Sequence, residues 1–101
     1  MTIEQVLQKQ INAVYGDEDG KRAGKVLIPA FLGDFRKVIE KSAPGNIVSE
    51  EYMTEDKKMH IVFKGMRTIS ATGFDIIIVS CICNGRELLT EKLSLFNEIG
   101  L

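Results

Sequence analysis

The side chains that could do chemistry are few: one imidazole, His60; two thiols spaced Cys81-x-Cys83; and two adjacent carboxylate pairs, Glu50-Glu51 and Glu55-Asp56. Nucleophilic catalysis would pair Cys81 or Cys83 with His60 as base. Both thiols fall in an apolar stretch, however, where burial raises a thiol's pKa and leaves it inert. Paired carboxylates acting as acid and base fare no better, since neighbours on a strand point to opposite faces and a pair in a turn is solvated. A metal site would need more ligands than one histidine and two cysteines supply. Gly16, Gly20 and Gly24 are evenly spaced but lack the preceding strand that a phosphate-cradling loop requires. The expectation is therefore a non-enzymatic protein with no catalytic residue, no metal and no cofactor. The rival is a small-ligand or hydrolase-like domain using the neighbourhood of His60.

Positioning these residues falls to one domain, 1–101, long enough to bury a core without disulfide or metal. The net charge of -1, with 27% charged residues of both signs, projects no field toward a nucleic-acid backbone or an anionic membrane. Two cysteines in an apolar strand read as small buried hydrophobes in a reducing compartment. Met1 to Tyr15 has neither the basic start nor the apolar core of a signal peptide, and no apolar run approaches a membrane span. A soluble, cytoplasmic protein is expected.

The strongest local signal lies between Phe74 and Phe96, where Asn84-Gly85 separates two apolar segments. An Asn-Gly pair supplies the two positive φ angles of a type I′ turn, which makes this the central hairpin. Strict alternation from a Cys83–Arg86 pair puts Phe74, Ile76, Ile78, Ser80 and Ile82 on the core face, with Leu89, Leu93 and Leu95 across from them. Ile77, Val79, Cys81 and Cys83 then point the other way. Leu89, Leu93 and Phe96 also fit helical spacing, but the turn favours strand for 86–99.

Upstream, Thr2 caps a helix whose inward residues are Ile3, Val6, Leu7, Ile11 and Val14, and Gly16 stops it. Asp17 to Arg22 reads as a charged, solvated loop, and Lys25 to Ile28 as a short extra edge strand. Pro29 opens a second helix with Phe31, Leu32, Phe35, Val38 and Ile39 inward, ended by Pro44-Gly45. Gly33 within it marks close packing against the sheet. Ile47–Met53 and Lys58–Lys64 form a second hairpin, with Val48, Glu50 and Tyr52 facing Phe63, Ile61 and Met59, and with Glu51 opposite His60. Gly65–Gly73 connects the hairpins, or extends a strand from Arg67 to Ser70. The fold class is α+β: two N-terminal helices on a mostly antiparallel four-stranded sheet built from two sequential hairpins.

This order of elements resembles that of the phage inhibitors of uracil-DNA glycosylase, through Phe35-Arg36-Lys37-Val38-Ile39-Glu40, Glu51-Tyr52-Met53-Thr54-Glu55-Asp56 and the Asn84-Gly85 hairpin. The resemblance implies a DNA-mimicking inhibitor of a nucleic-acid enzyme. Two departures stand against it: the acidic mimic surface is missing, and Pro29-Ala30 occupies the place of that family's Glu-Ser-Ile segment.

What remains is recognition. The aromatics are spent on the core rather than on base stacking, so no direct nucleic-acid binding is expected. Tyr52, Met53, Glu55, Asp56, Met66 and Arg67 combine residue types enriched at interface centres with a charged rim, and are the expected contacts for a protein partner. Ile77, Val79, Cys81 and Leu88 form a second apolar face that needs cover and favours a homodimer. An inhibitor, an immunity protein or a phage-encoded modulator of a host factor would fit such a module.

Overall fold

The computed structural model describes residues 2–70, 73–89 and 93–94. Two helices, α1 (Ile3–Tyr15) and α2 (Asp17–Glu40), precede the strands β1 (Val48–Met53), β2 (His60–Ser70), β3 (Gly73–Cys83), β4 (Arg86–Glu87) and β5 (Leu93–Ser94). The strands form an antiparallel meander in the order β1-β2-β3-β4, with β5 continuing β4's place beside β3. Both helices pack on one face of this sheet, as the apolar periodicity implies.

The helix pair is held by glycine. α1 begins at a capping box, in which the Thr2 hydroxyl accepts from Gln5 N–H and the Gln5 side chain accepts from Thr2 N–H. It ends at Gly16, whose φ of 88° lets the chain turn straight into α2. Asp17 to Arg22 is the first turn and more of that helix rather than a loop. Its acidic-first order, Asp17-Glu18-Asp19, is what the positive end of a helix dipole favours. Gly20 and Gly24 are buried against α1: a Cβ on Gly20 would lie 2.8 Å from Asn12 Cα. The space is filled by Gln8, whose amide donates to Gly20 C=O and Asn12 Oδ1 at 2.8 and 2.9 Å.

Lys25 to Ile28 is likewise helical, not an edge strand. The buried stripe Gly20, Gly24, Ile28, Leu32, Phe35 and Ile39 runs in phase through Pro29. Pro29 sits on the exposed side of α2, where the carbonyl it leaves unpaired is on the wet side. Gly33, expected to mark close packing, has open space where its Cβ would be.

Gly65 does pack closely. A Cβ there would stand 2.7 Å from Ile77 C=O and 3.1 Å from both Ile39 Cδ1 and Phe35 Cε2. Its absence lets α2 settle on β2, and it coincides with a break in the ladder. Lys64 pairs with Ser80 but Gly65 pairs with Ile78, so Val79 is one extra residue in β3, a β-bulge. The bulge changes which residues face the helices. Ile76 and Ile78 are buried, as alternation requires, but beyond the bulge Cys81 and Cys83 take the core side while Ser80 and Ile82 turn outward.

The Asn84-Gly85 turn forms as expected, with φ of 51° and 81° and Cys83 opposite Arg86. Asn84 also extends the ladder, its Oδ1 accepting from His60 N–H at 2.8 Å and its amide donating to Lys58 C=O at 3.2 Å. Farther along, Leu93 pairs with Ile78 rather than Ile76, a shift of two residues. The remaining expectations for 86–99, Leu95 and Phe96 among them, lie outside the described residues, as does the Phe74 side chain.

Candidate interaction face

In the hairpin of β1 and β2, Val48 pairs with Gly65, Glu50 with Phe63 and Tyr52 with Ile61, two residues along from the expected register. The cause is the turn. Thr54 is buried and organises it: its hydroxyl accepts from Met59 N–H at 3.1 Å and donates to Asp56 Oδ1 at 2.6 Å. Asp56 also accepts from Lys58 N–H at 3.0 Å and from the Tyr15 hydroxyl at 2.9 and 2.8 Å. The Thr54 hydroxyl first, then the Lys58 N–H, holds the Asp56 carboxyl below its usual range. Asp56 thus ties the turn to the end of α1, while Glu55 stays exposed beside it.

Tyr52 lies on the helix side of the sheet, its ring stacked on Phe31 at 5.3 Å and tilted against Phe63 at 5.8 Å. Its hydroxyl donates to Asp34 at 2.8 Å. Burial, and then that carboxylate, raises its pKa, so the phenol stays protonated in the fold above the pH at which an unfolded tyrosine ionises. The sign follows by linkage. The contribution is fully present below the unfolded pKa of about 10 and is lost as pH rises toward the folded value. Denaturation midpoints between neutral pH and strong alkali should fall more steeply for the natural protein than for Tyr52→Phe. The variant should itself start lower, by about 1 kcal/mol, for the lost hydrogen bond.

Arg67 also belongs to the helix side. Its Nη1 donates to Glu40 C=O at 3.0 Å, satisfying a carbonyl at the α2 C-terminus, and its own carbonyl accepts from Gly45 N–H at 2.8 Å. Cys81 and Leu88, expected on an uncovered face, are corrected in the same way. Cys81 is fully buried and Leu88 packs against the core from the edge of the sheet. Burial, with some help from neighbouring Cys83, pushes the Cys81 thiol up to about 12.

Met53, Met66, Ile77 and Val79 of the two expected sets come together on the face turned away from the helices, whereas Glu55 and Asp56 sit in the turn beside the end of α1 and α2. Met53 pairs with His60, and Met66 pairs with Ile77. Two residues outside those sets join them: Val62, which simple alternation with buried Ile61 and Phe63 already turns outward, and Ile82, which strict alternation places on the core face; the two pair across β2 and β3. The sequence signal for Ile82 was masked because every second-position choice in Ile76 to Cys83 is apolar or small, so nothing in the residue types marks the phase change. Val62, Met66, Ile77, Val79 and Ile82 are all partly accessible.

Charge frames this apolar track. The row through Val62 and Ile82 runs from Glu51 on β1 to Glu87 on β4, so it reads Glu-Val-Ile-Glu across four strands. His60 Nε2 reaches Glu51 Oε2 at 3.1 Å from the neighbouring row, a diagonal rather than a facing pair. Lys64 interrupts the track between the Val62 and Met66 rows, and Asp75 stands at its far end opposite Thr68. His60 and the two thiols lie on opposite faces of the sheet, which separates the only imidazole from the only candidate nucleophilic cysteines. No family model, curated protein or solved structure matches this chain.

Proposed function

We propose that the chain is a non-enzymatic protein-binding module that works through the face of its sheet turned away from α1 and α2. One observation carries this reading: Val62, Met66, Ile77 and Ile82 lie side by side on that face, and both helices pack on the other. An apolar centre with a charged rim is the ordinary anatomy of a protein contact surface. The occupant is another polypeptide, either a second copy in a homodimer or a different protein, as for an inhibitor, an immunity protein or a modulator of a host factor. Two free cysteines suit a reducing, cytoplasmic setting.

The test compares the natural protein with a Met66→Lys, Ile77→Lys double variant and with Lys37→Glu on the exposed side of α2. All three should stay folded by circular dichroism. A partner held by the natural protein and by Lys37→Glu should be released by the double variant. Retention by the double variant would count against the reading. So would turnover on an ester or phosphoester panel that His60→Ala abolishes, since that would restore the hydrolase alternative.

A further inference from the structure

Resting on that reading, we infer that the open face receives a basic-flanked amphipathic helix, seated along β2 and β3 between Glu51 and Glu87. The charge pattern is what selects the occupant. The two carboxylates are separated by three interstrand spacings, about 14 Å, and the apolar pair Val62–Ile82 lies between them. An α-helix with its side chains is about 10–12 Å across, so one helix fills the track and brings both its flanks to the acidic rims.

Along the strands, the step from Val62 to Met66 covers about 13 Å, which a helix spans in about nine residues. Apolar side chains spaced i, i+3 or i+4 and i+7 would therefore meet the Val62–Ile82 row and the Met66–Ile77 row in turn. Among the described residues of the track, Lys64 is one cation against the two rim carboxylates, Glu51 and Glu87, which leaves those rims acidic on balance, with His60 already engaged by Glu51. Lysine or arginine on the two flanks of the incoming helix answers that balance.

A second copy answers it less well. Stacked with its Val62–Ile82 row on the same row of its partner, it would set Glu51 against either Glu51 or Glu87, like charge on like charge at each rim.

The probes are three synthetic helical peptides of about sixteen residues: one with a leucine stripe flanked by lysines, one with the same stripe flanked by glutamates, and one lysine-flanked with alanine in the stripe. Fluorescence anisotropy against the full-length protein should show binding by the first. The second and third should bind at least about tenfold more weakly, with the lysine–glutamate gap shrinking at high salt. A Glu51→Lys, Glu87→Lys variant should reverse the preference between the first two peptides.

Equal binding of lysine- and glutamate-flanked peptides, or no binding of any, overturns the inference. A concentration-dependent dimer in sedimentation that Ile77→Lys dissolves also overturns it, by placing a second copy on the face. In each of these cases release of a partner by the Met66→Lys, Ile77→Lys variant would still stand as support for a protein-binding face, so the two failures are separable.

Discussion

Phe63→Ala is expected to destabilise the protein by about 3–5 kcal/mol, a large part of the about 5–15 kcal/mol that holds a typical domain folded. Phe63 is fully buried at the middle of β2, where three elements meet: its ring lies 5.3 Å from Phe35 of α2 and 5.8 Å from Tyr52 of β1, and its backbone pairs with Cys81 of β3. Truncation removes the apolar burial and leaves a cavity that two rigid aromatic neighbours cannot close. The adjacent Val62→Ala, one position along but on the open face, should cost about 1 kcal/mol or less. Urea denaturation of both variants reads the difference directly. Equal losses would mean that the two faces of β2 are wrongly assigned.

Gly65→Ala should cost about 1–3 kcal/mol by overpacking, although alanine is the smallest side chain that could be added. The new methyl would meet a backbone oxygen, that of Ile77 at 2.7 Å, and two core side chains that already pack tightly, so relief requires α2 to lift or the bulge to rearrange. Gly33→Ala is the matched comparison. It lies in the same helix that Gly65 contacts, has nothing near its Cβ position, and should gain about 0.5–1 kcal/mol from helix propensity alone. Opposite signs for the two glycines in one denaturation series would separate close packing from chain flexibility. A neutral Gly65→Ala would mean that α2 does not rest on the sheet at that point.

Much of this fold was legible in residue order. The α1 face, the Gly16 stop, the Asn84-Gly85 turn and the meander of two hairpins follow from periodicity and turn chemistry. The first half of α2 was not read as helix because Gly20, Gly24 and Pro29 each lower helix propensity on their own. Their positions, with the glycines inward at four-residue spacing and the proline outward, make sense only once α1 is there to pack against. The register of β1 slipped by two because the turn's length is set by a side-chain network through Thr54, Asp56 and Tyr15, the last of them distant in sequence. The bulge at Val79 was hidden because its only polar neighbour, Ser80, is small enough to sit on either face, and it moved Cys81 inside and Ile82 outside.

The interaction face inherits both outcomes. Ile77 and Val79 were identifiable as apolar residues in want of cover and Met66 as an expected partner contact, whereas Tyr52 and Arg67 are consumed in packing and helix capping. Val62 follows from simple alternation in β2, and Ile82 becomes visible only after the bulge is placed.

Thiol accessibility reads the placement of that bulge. Native protein treated at neutral pH with a bulky thiol reagent should show Cys81 and Cys83 reacting no faster than the protein unfolds, because both are buried and burial raises their pKa values. Ile82→Cys should add one thiol that reacts promptly without unfolding. Prompt modification of Cys81 in the native fold, with the new thiol at position 82 protected, would contradict the account and return the faces of β3 to simple alternation.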